Sequence, residues 1–111
     1  MMNTMHELYV TMAAGTGAKE GEVCKLTDDC KVGACAEGDI LCGVCGPVRN
    51  GNAGVLLHGL AVVKYSGSTA PSVGFSTLSA DGAGGVAVDE DGKDYLVVSV
   101  DTTAKTVSLV L

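Results

Sequence analysis

The sequence predicts an all-β domain: a small barrel or sandwich of short, mainly antiparallel strands ending in a β-hairpin. Three observations carry this. The C-terminal runs Asp94-Tyr-Leu-Val-Val-Ser-Val-Asp101 and Lys105-Thr-Val-Ser-Leu-Val-Leu111 alternate with a period of two, the signature of half-buried strands. Sixteen glycines stand against two prolines, so turns are made by the residue that reaches positive φ cheaply. No amphipathic stripe of helical period runs longer than two turns.

Residues 1–20 read as a flexible N-terminal arm, rich in methionine and then in small residues, with one possible strand at Leu8-Tyr9-Val10. Residues 21–111 read as a single barrel-like domain. Its candidate strands are 22–26, 30–35, 39–46, 53–65 (split near His58-Gly59), 73–78, 85–88, 94–101 and 105–111. Turn signals separate them, among them Asp28-Asp29, Gly38-Asp39, Asn50-Gly51, Gly67-Ser68, Asp81-Gly82 and Asp91-Gly92. In the last pair, Leu96, Val98 and Val100 form one candidate apolar face, and Val107, Leu109 and Leu111 the other. The Asp101–Lys105 connector has hairpin length.

A chain of 111 residues is naturally one domain and buries roughly 65% of its unfolded surface. Hydrophobic residues make up 47% of it but aromatics only 4%, so the core must be built from Val, Leu, Ala and Cys. The net charge of −6 and the scattered Lys and Arg argue against nucleic acid as a partner. The longest apolar run, Val55 to Val63, is broken by His58 and Gly59 and is too short to span a bilayer. No basic segment precedes an apolar run at the N-terminus, so the expectation is a protein made in the cytoplasm, with neither a secretory signal nor a membrane partner.

Segment 53–65 presents two faces. Ala53, Val55, Leu57, Gly59, Ala61, Val63 and Tyr65 carry no charge and should face the core. Leu56, His58, Leu60, Val62 and Lys64 form the other face, and it too is mostly apolar. Either a second layer of the domain covers that face or another subunit does. Leu56, His58, Leu60 and Val62 are therefore the candidate oligomer interface.

No constellation with a catalytic signature is present, so the expectation is a protein that is not an enzyme and needs no cofactor. Cys24, Cys30, Cys35, Cys42 and Cys45 are odd in number and lack a secretory signal, which argues for reduced thiols. Cys42-Gly-Val-Cys45 has CxxC spacing. In an extended strand, though, Cys42 would lie with Ile40 and Val44 while Cys45 lay with Leu41. Buried cysteines acting as small hydrophobes are the simpler reading. A zinc site from Cys24, Cys30, Cys42 and Cys45 is the alternative, and a thiol-based redox carrier a third. His58 and His6 have no local nucleophile or orienting carboxylate. Asp81, Asp89, Glu90, Asp91, Asp94 and Asp101 form an acidic band without the ligand alternation of a calcium loop.

Several motifs occur in a suggestive order: Gly21-Glu-Val-Cys-Lys-Leu26, Ala34-Cys-Ala-Glu-Gly-Asp39, Cys42-Gly-Val-Cys45 and Val48-Arg-Asn-Gly-Asn-Ala-Gly-Val-Leu-Leu-His-Gly59. After them come Tyr65-Ser-Gly67, Pro71-Ser-Val-Gly74, Leu78-Ser-Ala-Asp-Gly-Ala-Gly-Gly-Val86 and Tyr95-Leu-Val-Val-Ser-Val-Asp101. Over residues 20–111 this resembles the small capsid-decoration (cement) proteins of tailed phages and of prophages in gut Firmicutes. The resemblance implies a β-rich fold with a small barrel and a homo-oligomer, typically a trimer. It implies the major capsid protein as partner, and a place in the virion after assembly from the bacterial cytoplasm. It carries no active-site residues. What carries over is structural, at the turn positions Gly38-Asp39, Gly51, Gly59, Gly74 and Asp81-Gly82; the cysteines depart from the pattern. A small-ligand- or zinc-binding β-barrel of bacterial origin is the alternative.

Overall fold

The computed structural model describes residues 7–111; the methionine-rich start and His6 lie outside the described residues. The described chain forms ten strands: β1 (Leu8–Ala14), β2 (Val23–Asp28), β3 (Lys31–Ala34), β4 (Gly43–Arg49), β5 (Asn52–His58), β6 (Leu60–Lys64), β7 (Gly74–Ala80), β8 (Val86–Val88), β9 (Lys93–Asp101) and β10 (Thr106–Val110). No helix occurs among the described residues. The first five strands close into a barrel in the order β1-β3-β2-β4-β5, and the rest form a sheet in the order β6-β10-β9-β7-β8.

Every strand pair is antiparallel except β1 with β3. That parallel contact is what closes the barrel. Residues 9–13 of β1 run antiparallel to β5, and its end then turns onto β3, pairing Ala14 with Val32. The strand expected at 8–10 thus extends through Ala14 and is a stave of this chain's own barrel.

Two hairpins show how local chemistry sets register. Asn50 and Gly51, between β4 and β5, both have positive φ (52° and 76°), as a type I′ turn requires. Between β9 and β10, the Asp101 carboxylate accepts the amides of Thr103 and Ala104 at 3.0 Å, and Lys105 takes φ 55°. Such side-chain capping of turn amides is the reason Asp recurs at the connectors.

The barrel interior holds Cys24, Val32, Cys45, Ala53 and Val55, with Met12, Ala14, Ala18, Cys42 and Leu57 against them. These small side chains fill a five-stranded barrel, which has little room inside. A second core joins the two sheets. Val23, Cys35 and Leu41 from the barrel half pack on Val63, Tyr65, Leu78, Val86, Tyr95, Val97, Val107 and Leu109 of the other sheet. Val23 and Cys24 are neighbours in sequence yet serve different cores, as a strand's alternation dictates. The second sheet also curls: its edges approach where Tyr65 bridges Val86, and Ser66 donates to the Val86 carbonyl at 2.9 Å. Gly85 is required there, because a Cβ would strike the carbonyl of Lys64.

The expected split of segment 53–65 near His58-Gly59 falls at Gly59 (φ 135°), and its two halves, β5 and β6, belong to different sheets. Two further expectations from the sequence are corrected. On β9, Tyr95 and Val97 face the core, and Leu96 and Val98 face outward. A bulge at Val98 lets Val100 swing back to pair with Val107 on the inner face. Cys42 and Cys45 both pack in the barrel cluster: residues 39–42 lie outside any strand, and β4 starts only at Gly43.

Candidate interaction face

The outward face of the second sheet carries a row of apolar side chains across four strands. Leu60 of β6 lies opposite Val110 of β10, Val110 opposite Leu96 of β9, and Leu96 opposite Phe75 of β7. Leu60 is 40% exposed, Leu96 37% and Phe75 77%. Val62 and Val98, also exposed, flank the row, and Val73 precedes Phe75 at the mouth of β7. Polar neighbours border it. Val62 is opposite Ser108, which is opposite Ser99; on the other side Thr77 is opposite Asp94 and donates to its carboxylate at 2.8 Å. An apolar stripe edged by satisfied polar groups is the anatomy of a protein contact surface.

This face ends at an edge strand. β6 is the terminal strand of its sheet and pairs along its length only with β10, so Leu60–Val63 have no ladder partner on their other side, while at Lys64–Tyr65 the sheet curls onto Gly85–Val86. A groove of about 350 Å³ runs beside it, between Val62–Lys64 and the segments Glu20–Glu22 and Ala83–Gly84.

Of the residues expected at an oligomer contact, Leu60 and Val62 lie on this face and His58 is exposed at the end of β5. Leu56 does not join them. It is 5% exposed, because the chain folds back over it at Gly59 and a bulge in the β1–β5 pairing breaks the alternation. Period-two reasoning assigns the more hydrophobic face of β9, with Leu96 and Val98, to the core, and it gives no sign that Phe75 faces solvent. Counting aliphatics cannot tell a strand with two apolar faces from one with an inverted face. Only Tyr95, whose hydroxyl reaches the Leu41 carbonyl at 3.5 Å, fixes which side goes in.

The cysteines do not assemble as a four-thiol site. Cys24 and Cys45 are buried in the barrel, Cys42 is half-buried beside them, Cys35 lies in the inter-sheet core, and Cys30 sits exposed in the β2–β3 turn. No group of three or more His, Cys, Asp or Glu converges among the described residues. Cys24 and Cys42 lie side by side: the Cys42 amide donates to the Cys24 carbonyl at 2.9 Å, and the Cys24 thiol donates to the Gly43 carbonyl at 3.6 Å. The neighbouring Cys42 sulfur, with burial, drives the Cys24 pKa up, and the Cys24 thiol beside it pulls Cys42 down to about 7. Burial pushes Cys35 up to about 11 and raises Cys45.

The acidic residues serve turns. Asp81 accepts Ser66 Oγ at 2.5 Å and the amides of Ala83 and Gly85. Asp89 accepts the Asp91 amide at 2.9 Å and Ser79 Oγ at 2.8 Å, bonds that hold its carboxyl below the usual range. Asp39 is lowered by its bond to Lys25 at 2.5 Å, helped by the Ala36 amide.

The architecture is thus an all-β pair, a closed five-stranded barrel and a curled antiparallel sheet joined by one core. The crystal structure of the N base of head fiber gp8.5 from bacteriophage phi29 has the same fold. It superimposes with a TM-score of 0.65 over 96% of this chain and 94% of that one, at 17% sequence identity. No protein-family model matches the chain, and no curated protein matches it in sequence.

Proposed function

We propose that this protein is a non-enzymatic structural component of a phage or prophage virion, seated on the capsid as a homo-oligomer. The observation that carries the reading is the exposed row Leu60-Val110-Leu96-Phe75 with the β6 edge beside it. A chain this small gains little from leaving such a stripe in water. Covering an exposed aliphatic or aromatic side chain fully is worth about 1.5–3 kcal/mol. The match of nearly the whole chain to a head-fiber base supports the virion assignment, as does the resemblance of residues 20–111 to capsid-decoration proteins. The resemblance implies the major capsid protein as partner and a trimer as the expected assembly.

In this reading the barrel and turns act as a rigid holder. The sheet face supplies area, the β6 edge supplies directional backbone bonds to a second copy, and the acidic exterior keeps unassembled copies apart. The alternative of a ligand-holding barrel gains no support from the interior, which the chain's own side chains occupy.

Mass spectrometry of purified particles from a host in which the encoding phage or prophage replicates tests the assignment. The protein should be recovered with the capsid in a fixed ratio to the major capsid protein. Particles free of it, with the protein left wholly in the host lysate, would contradict the assignment.

A further inference from the structure

Cys24 and Cys42 meet across the junction of two barrel strands. The Cα of Cys24 on β2 lies opposite Gly43 on β4. The amide of Cys42, one residue earlier, donates to the Cys24 carbonyl at 2.9 Å. Both side chains pack in the barrel cluster, and the Cys24 thiol donates to the carbonyl of Gly43, the residue next to Cys42, at 3.6 Å. A disulfide needs Cα atoms about 4.4–6.8 Å apart, and a backbone hydrogen bond between the two residues holds them as cross-strand neighbours.

The two sulfurs differ in a useful way. Cys42 is half-buried and reaches solvent, and the Cys24 thiol with nearby backbone amides favours its thiolate. Cys24 is wholly buried and stays a thiol. A partly exposed thiolate with a second thiol against it is the arrangement oxidants convert to a disulfide.

We propose that Cys24 and Cys42 form a peroxide-driven disulfide that fastens β2 to the start of β4. The Cys42 thiolate attacks one oxygen of hydrogen peroxide; the S–O bond forms, the O–O bond breaks and hydroxide leaves. The Cys24 sulfur then attacks the Cys42 sulfur. The S–S bond forms, the S–O bond breaks, and the hydroxyl departs with the Cys24 proton as water. The two cysteines together lose two electrons and peroxide gains them. The link closes the β2–β3 hairpin and residues 35–42 into a covalent ring, which restricts the unfolded chain. It rests on the barrel geometry alone and stands whether or not the protein belongs to a virion.

The test treats the full-length reduced protein, in a Cys30→Ser background that removes the exposed thiol, with equimolar hydrogen peroxide. Non-reducing peptide mapping should find a Cys24–Cys42 cross-link and a chain lighter by two hydrogen atoms. The thermal midpoint should rise by on the order of 10 °C and fall back on reduction. In Cys24→Ser, a dimedone adduct at Cys42 should replace the link. If that variant fails to fold, the peptide map of the Cys30→Ser protein decides alone. Cys42 carried to sulfinic acid with Cys24 still free, or a link formed through Cys35 or Cys45, overturns the proposal.

Discussion

Leu96 and Phe75 stand directly opposite each other on the outer surface of the second sheet, at 37% and 77% exposure. Cross-strand partners of this kind normally shield one another on a buried face. Here they hold an apolar stripe toward solvent, and behind them Tyr95 and Val97 fill the core.

If the stripe serves association, its polar variants separate assembly from folding. Leu96→Lys or Val62→Lys should leave the far-ultraviolet dichroism and thermal midpoint of the isolated chain within about 0.5 kcal/mol of wild type, because both sites are exposed. The same variants should lose the oligomer in size-exclusion chromatography with light scattering. Unchanged elution would remove the stripe from the contact.

The inter-sheet core should be the most sensitive part of the chain. Leu78 and Leu109 are almost fully buried there. Leu78→Ala or Leu109→Ala should cost about 2–5 kcal/mol in urea unfolding. Val55→Ala in the barrel removes less volume and should cost less. An unfolding curve in which Leu109→Ala matches wild type would mean that the two sheets do not share this core.

Backbone geometry gives a pair of opposite expectations. Lys105 holds φ 55°, a region that costs an L-residue roughly 1–2 kcal/mol, so Lys105→Gly should be neutral or mildly stabilising. Gly43→Ala should destabilise, because its Cβ would meet the Leu56 carbonyl across the β4–β5 pair. Chemical denaturation of both variants checks the two signs together.

Acid should loosen the chain through two carboxylates. Asp39 is held below the usual range by Lys25, and Asp89 by the Asp91 amide and Ser79. A depressed folded pKa gives stability that is present above the unfolded value of 3.8 and is lost as pH falls through the folded one. Denaturation midpoints should therefore be flat above about pH 5 and decline below about pH 4. Asp39→Asn should flatten part of that decline. Both groups are only half-buried and remain open to solvent, so the effect should be small.

Much of this architecture was legible in the residues. The hairpin ends, the Asn50-Gly51 turn and the division at His58-Gly59 follow from turn chemistry that acts over a few residues. Closure was not legible, because the β1–β3 contact joins Ala14 to Val32 through pairing that no local pattern encodes. The contact face was half legible. Leu60 and Val62 stand out in a strand that alternates cleanly, whereas the side taken by Leu56 and Leu96 is not legible. At Leu56 a bulge and a fold-back shift the alternation by one residue, and such a slip reverses every side chain that follows; at Leu96 both faces of the strand are apolar, so hydrophobicity alone does not choose between them. The approach of Cys42 to Cys24 is not legible either, because strand alternation across 39–46 places Cys42 and Cys45 on opposite faces while β4 starts only at Gly43.

Sedimentation equilibrium of the purified wild-type protein at micromolar concentration bears most directly on the claim that the Leu60-Val110-Leu96-Phe75 row is a contact between copies. A mass that is a whole multiple of the 11.1 kDa chain, returning to a single chain in the double variant Phe75→Asp, Leu96→Lys, is the predicted result. A wild-type mass of one chain across the concentration range would contradict it.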